Sequence, residues 1–327
     1  MPTLRILSRK DIASIISMKQ AIDLMRDAFT SLSSGQAITP VRMNMPLGQQ
    51  GQRALFMPSF SEDLQQIGLK VVTVNPENPR HELPFIHAFI TVNNARTGEP
   101  IALMDGEYIT ALRTGAGAGL ATEILARTHS SVLAIFGIGV QAQTQIEAIC
   151  TVRPISKIIV FARSPEKIDR FIDQIKQRYE IEIVAAQSPD DLLEADIVCT
   201  ATTSLTPVFS AENLSIGTHI NGIGSYRPDM TEIPSQVVSS ATVVVDHLEA
   251  CLSEAGDISL PIQEGIIDQS HIHAEIGEIL LGLCPGRTHN QEITFFKSVG
   301  NAIQDLVVAS YLVKQAERVN LGTEITL

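Results

Sequence analysis

The chain has 327 residues, 44% of them hydrophobic, and a formal net charge of −12. A chain of this length and composition can bury a large core and is expected to divide into two domains. The acidic balance argues against a nucleic-acid partner. No apolar run reaches the roughly 18 residues that span a bilayer, and the opening MPTLRILSRKDI has no hydrophobic leader segment. A soluble cytoplasmic protein with no membrane partner is the expectation. Cys150, Cys199, Cys251 and Cys284 are scattered without a C-x-x-C pair, which suits reduced thiols better than disulfides or a zinc site.

Leu4 to Leu7 reads as a first strand. Met18 to Leu32 has helical periodicity, with Ala21, Ile22, Met25, Ala28, Phe29 and Leu32 on one stripe. Strand-like segments follow at 42–47, 53–57, 68–74 and 85–93, and NNARTGEP turns the chain into another at 101–104. Adjacent strands without intervening helices predict an antiparallel or mixed sheet. Glu107 to Ala126 is a long helix with the run Gly115-Ala116-Gly117-Ala118-Gly119 at its middle. Such a run is costly in helix propensity and is tolerated where something must approach the backbone closely.

From Ser130 the pattern alternates. Apolar strands are expected at 132–136, 157–161, 181–185, 196–200, 217–221 and 242–246, with helices at about 140–150 and 165–178. This alternation predicts a doubly wound parallel sheet, an α/β fold of Rossmann type. A last helix over about 301–318 is expected to return to the first domain.

Val132 to Phe136 ends at Gly137, and Gly137, Gly139 and Ala142 follow in the spacing G-x-G-x-x-A ahead of a helix. In that setting the first glycine allows the turn, the second admits a pyrophosphate to the backbone, and the alanine lets the helix pack close to the sheet. The phosphates would meet the free N–H groups of the helix N-terminus. An acid normally ends the second strand of such a fold, to bind the ribose hydroxyl. Here Ala162, Arg163 and Ser164 stand there instead. A guanidinium pairs with a 2′-phosphate that a carboxylate would repel, so NADPH is the expected cofactor, with NADH possible. Ala201 and Thr202 follow a further strand, VCT, at the carboxyl edge where a dinucleotide lies.

The stretches TPVRMNMPL, GLKVVTVNPEN, TGEPIALMDGEYITALRTGAGAGLAT, FGIGVQAQ, INGIGSYRPDMTEI, CLSEAGDI and FFKSVGNAIQDL resemble the ornithine cyclodeaminase/mu-crystallin family over nearly the whole chain. The resemblance implies a homodimer. It also implies a substrate-binding and dimerisation domain of α+β type, residues 1–113 with 302–327, and a dinucleotide-binding domain, residues 114–301. Members move a hydride between nicotinamide and the α-carbon of an amino or imino acid.

The family's carboxylate-binding arginines fall on Arg42 and Arg113, and its active-site lysine on Lys70. Inside the apolar run GLKVVTV a lysine is expensive unless paired or functional, although a snorkelling structural lysine is the bland alternative. The expected dinucleotide set is Thr114, Gly137, Gly139, Val140, Gln141, Ala142, Arg163, Ser164, Ala201, Thr202, Ser298 and Gly300. Met57 and Tyr226 stand where the cyclodeaminases carry a glutamate and an aspartate, and with Arg42, Lys70 and Arg113 they complete the expected substrate set. Asp229 is not taken as a substitute. His87 and His219 could line a site, though a satisfied structural histidine is commoner.

The leading expectation is NAD(P)H-dependent reduction of a cyclic imino acid, Δ1-pyrroline-2-carboxylate to L-proline, with Δ1-piperideine-2-carboxylate as a second ring size. Alanine dehydrogenase or ornithine cyclodeaminase activity is the alternative. A protein that only binds NADPH and a small ligand is the alternative of another class.

Overall fold

The computed structural model describes residues 3–48 and 51–327. Met1 and Pro2, part of the opening stretch read above, lie outside the described residues. The chain forms two compact units, one running to Arg113 and resuming at Asn301–Leu327, the other Thr114–Gly300. No helix among the described residues is long and apolar enough to cross a membrane.

The first unit holds a mixed sheet of β1 (Thr3–Leu7), β2 (Ala37–Ile38), β3 (Met43–Pro46), β4 (Arg53–Ser61), β5 (Gln66–Val74), β6 (Ile86–Asn94), β7 (Pro100–Asp105) and a C-terminal strand, Thr323–Thr326. The order is C-terminal strand, β1, β7, β6, β5, β4, β2, with β3 also on β4. Only β1 and β7 run parallel. The expected strand at 53–57 extends to Ser61 through Pro58. β3 pairs with β4 up to Phe56 and β2 pairs from Phe60, so the proline falls in the gap between them, where no N–H is needed.

Two helices precede β2: α1 (Arg9–Ile15) and α2 (Met18–Ser33), opened by the capping boxes Ser8–Asp11 and Ser17–Gln20. The apolar stripe of α2, including Met18, Ala21, Ile22, Met25, Ala28 and Phe29, is buried. A C-terminal helix, Ala302–Arg318, packs on α2 and on β4 and β5. It lies so close to β5 that a Cβ at Gly68 would meet Leu306 at 3.1 Å. The opposite face of the sheet carries Met43 (65% exposed), Ile67 (41%) and Phe89 (44%).

A 20-residue helix, α3 (Gly106–Leu125), contains the boundary between the units. In the second unit β8 (Val132–Phe136), α4 (Val140–Val152), β9 (Lys157–Phe161), α5 (Pro165–Lys176) and β10 (Glu182–Ala185) make one half of a parallel sheet. The other half is β11 (Ile197–Thr200), β12 (His219–Gly222), β13 (Thr242–Val245), β14 (Ile272–Glu275) and β15 (Thr294–Lys297). The order β10-β9-β8-β11-β12-β15-β13-β14 reverses direction between β8 and β11, the switch point at which open α/β sheets bind ligands. Both faces are buried: Leu133 and Ile135 join one core with Ile146 and Ile149, while Ala134 and Phe136 join the other with Val237 and Val243. The fold is α/β: the second unit is a doubly wound parallel sheet and the first unit is α+β.

The glycine-rich run of α3 has a physical reason. A Cβ at Gly115 would lie 2.6 Å from the carbonyl oxygen of Thr144, so α4 approaches α3 backbone to backbone. Gly115→Ala should therefore destabilise the protein by about 2–3 kcal/mol, as overpacking does, and lower the melting temperature by roughly 5–10 °C. Gly98→Ala is the control, because nothing lies within 4 Å of that site and only its φ of +78° is strained. It should cost about 1 kcal/mol, and calorimetry of the two variants checks the difference.

Candidate active site

In the first unit the central element is Lys70. It points from β5 into the face covered by the C-terminal helix and is only 2% exposed. Its cross-strand neighbours are Met57 and Ile90, both buried and apolar. Its Nζ lies 2.6 Å from Oδ2 of Asp305. Arg113 comes from α3, donating from Nε to Oδ1 of Asp305 at 3.2 Å and from Nη1 to Oε1 of Gln304 at 3.1 Å. One carboxylate thus bridges a lysine and an arginine. Burial pushes the Lys70 ammonium down to about 7; Asp305 opposes the shift, and the charges of Arg113 and Arg42 add to it. Arg42, partly buried ahead of β3, therefore acts on the same group.

Asp305 supplies one negative charge between the Lys70 ammonium and the Arg113 guanidinium. A buried positive remainder has to be matched by an anion, and arginine holds a carboxylate in bidentate geometry. The cluster can bind a small carboxylate and exchange a proton near neutral pH. Asp305 and Gln304 were not among the residues expected from sequence. Their signal was an acid in a largely apolar helix, AIQDLVVASYL.

His87 is half exposed and its Nδ1 lies 3.2 Å from Glu107 Oε1, so its partner is not the lysine cluster. His219, in the second unit, is fully buried, with Nδ1 2.9 Å from Thr294 Oγ1 and Nε2 3.3 Å from Asn221 Oδ1. Burial, reinforced by Arg287, pushes it down to about 3, so it is neutral and structural.

In the second unit the glycine turn sits at the switch point. Gly137 has φ +105°, donates its N–H to Phe161 O at 3.0 Å, and would place a Cβ 2.5 Å from Ala201 O. The turn is therefore locked between the ends of β9 and β11. Gly139 is the N-cap of α4 with no side-chain cap, and a Cβ there would meet nothing within 4 Å. The start of α4 is therefore uncapped by a side chain, with open space beside Gly139. Val140 is exposed and Ala142 is buried against the sheet. Gln141 Oε1 is buried with no hydrogen-bond partner. An uncapped helix start, an open cradle and an orphaned acceptor fit a dinucleotide.

The remaining expected positions are spread along the same unit. Thr114 accepts from Gln145 Nε2 through its carbonyl. Arg163 is exposed beyond β9, and Ser164 is the N-cap of α5 without a side-chain cap. Thr202 donates its N–H to Glu232 Oε1 at 2.7 Å. Ser298 Oγ and Gly300 N both donate to Asp246 Oδ2, at 2.8 and 2.7 Å. Tyr226, 36% exposed, lies in the loop after β12.

The chain is 41% identical over 322 residues to the Δ1-pyrroline-2-carboxylate reductase of a Bacillus cereus strain, covering 98% of this chain and 99% of that one. It is 36% identical over 321 residues to the alanine dehydrogenase of Archaeoglobus fulgidus, covering 98% and 97%. Among solved structures, the Δ1-pyrroline-2-carboxylate reductase of Thermococcus litoralis in complex with NADH and L-proline superposes with a TM-score of 0.94 at 41% identity, covering 98% of this chain and 100% of that chain. An archaeal alanine dehydrogenase dimer with bound NAD superposes with a TM-score of 0.93 at 34% identity, covering 99% of each chain. A family model matches residues 3–320, and the chain belongs to the ornithine cyclodeaminase/mu-crystallin family.

Proposed function

We propose that this chain reduces a cyclic imino acid, Δ1-pyrroline-2-carboxylate, to L-proline. The observation that carries the reading is the Lys70–Asp305–Arg113 cluster, a buried lysine brought near neutrality beside an arginine that can hold a carboxylate. It agrees with the activity named for the reductase relatives. A nicotinamide dinucleotide supplies the hydride that C2 of the imine accepts. Arg42 and Arg113 hold the substrate carboxylate and fix the ring. Lys70, as the ammonium, gives its proton to the lone pair of the imine nitrogen and is left as the neutral amine, which makes C2 of the resulting iminium electrophilic. Positioning and charge complementarity supply most of the acceleration.

Met57 is apolar and buried beside Lys70, and Tyr226 carries no charge to match a second ammonium. A diamine such as ornithine would bury an unpaired cation at a cost of several kcal/mol, whereas a cyclic imine has none. Alanine dehydrogenation is the second reading, favoured by the alanine dehydrogenase relatives. For the cofactor we infer NADPH as the preferred form and NADH as usable. Arg163, with no acid beside it at the end of β9, supports the phosphate, although the similar solved structures hold NADH or NAD. We also infer a homodimer that covers the exposed apolar face of the first sheet.

The purified protein should reduce pyrroline-2-carboxylate with NADPH or NADH and release little ammonia from ornithine. Efficient proline formation from ornithine, or no imine reduction, would sink this reading. Lys70 acts in its protonated form, so kcat/KM for reduction should be level below about pH 7 and fall as pH rises through it. Lys70→Met should lower reduction by about 10²-fold or more while dinucleotide binding stays intact, and a near-normal rate would remove Lys70 from the mechanism.

Arg163→Asp should move the ratio of NADPH to NADH affinity by roughly 10- to 100-fold towards NADH, the worth of a charged hydrogen bond. An unchanged ratio in titrations would mean that Arg163 does not touch the 2′-phosphate. Sedimentation at micromolar concentration should give twice the chain mass, and Ile67→Asp should shift it towards the monomer. A monomeric wild type would discard the dimer.

A further inference from the structure

Glu232 lies outside the residues assigned above, yet it is fully buried beneath the carboxyl edge of the parallel sheet. Its Oε1 accepts from Thr202 N at 2.7 Å. Its Oε2 accepts from Gly224 N at 2.7 Å, Ser225 N at 3.2 Å and Thr200 Oγ1 at 2.9 Å. The four donors come from the end of β11 with its following loop and from the loop after β12. Burial, with the nearby Asp257, raises the proton affinity of Glu232, while Lys297 and Thr202 oppose the rise. The donor set favours the ionised form, because three of the four are backbone N–H groups, which cannot accept, and only the Thr200 hydroxyl could take a proton from the carboxyl.

The two loops touch backbone to backbone. A Cβ at Gly224 would fall 2.1 Å from Thr202 O and 2.6 Å from Thr202 N. The other side of the same loop holds the glycine turn, through the 2.5 Å approach of a Gly137 Cβ to Ala201 O. Gly137, Ala201–Thr202 and Gly224 therefore form a stack of three strand ends, and the Glu232 carboxylate ties its last two members. Glu232 is itself anchored. Its N–H and that of Ile233 donate to Asp257 Oδ1 at 2.7 and 3.0 Å, and Lys297 Nζ donates to Asp257 Oδ2 at 3.1 Å.

We propose that Glu232 is a positioning residue for the dinucleotide: its carboxylate fixes the loops after β11 and β12 against each other and thereby sets the spacing of the edge on which the cofactor lies. The proposal rests on the dinucleotide reading given above. Glu232→Gln keeps the size of the side chain but turns one acceptor into a donor that faces a backbone N–H.

The test sets this variant beside Asp196→Asn. Asp196 makes a comparable clamp near the start of β8, accepting from Ser131 N at 2.8 Å, Val132 N at 3.1 Å and Arg127 Nη2 at 2.6 Å, away from the carboxyl edge. Both variants should melt below the wild type. Only Glu232→Gln should raise the dissociation constant for NADH and NADPH, by about tenfold or more, and only it should speed amide exchange at Thr202, Gly224 and Ser225. Unchanged cofactor affinity in Glu232→Gln, or an equal rise in both variants, would overturn the proposal. If Glu232→Gln does not fold, Thr200→Val removes one donor. About a threefold loss of affinity is then expected, and none would overturn the proposal. Failure of the wild type to bind either dinucleotide would instead overturn the cofactor reading and this proposal with it. Amide exchange would still report whether Glu232 holds the edge.

Discussion

Asp305 is the group on which the first unit depends. A lysine and an arginine are both buried in the same corner, and each would cost several kcal/mol without a counter-charge. A single carboxylate answers both, one oxygen to each. That arrangement requires the C-terminal helix to lie almost on β5, which Gly68 permits by presenting no side chain to Leu306. The corner is thereby left with more positive than negative charge, which suits the carboxylate of the substrate proposed above. Binding and proton transfer follow from one imbalance.

The second unit solves a different problem, the close approach of main chains. Several of its contacts admit no Cβ, among them Gly115 with α4, Gly137 with the end of β11, and Gly224 with Thr202. At the sheet edge α4 starts without a side-chain cap, an arrangement that suits an anion. Buried acceptors, Glu232 and Asp246 among them, hold the loops around that edge at fixed spacing. The spacing of that edge is set by the backbone, with carboxylates as braces.

Local signals were the legible ones. Gly137, Gly139 and Ala142 could be read because their meaning lies in a spacing of a few residues between a strand and a helix. Lys70 stood out because a lysine among Leu69, Val71 and Val72 needs a reason. Asp305 did not, because a single acid in a helix reads as part of a solvated face, and its partner is on a strand at the other end of the chain. β15 was not expected between β12 and β13, since parallel order is decided by long-range packing. β4 was ended too soon, at Met57, because the gap between β2 and β3 that accommodates Pro58 is a property of neighbouring strands. Helix α1 carried its signal in Ser8 and Asp11, but seven residues are too few for a period to show.

The division of the chain also orders its assembly. Thr114–Gly300 is continuous, whereas the first unit is interrupted and regains its last helix only at Asn301. Domains tend to fold as units during synthesis. As the ribosome extends the chain, the whole parallel-sheet unit is therefore made while Lys70 and Arg113 still lack Asp305. The Lys70 cluster, with its altered proton affinity, is therefore completed only after the helix that carries Asp305 has been made.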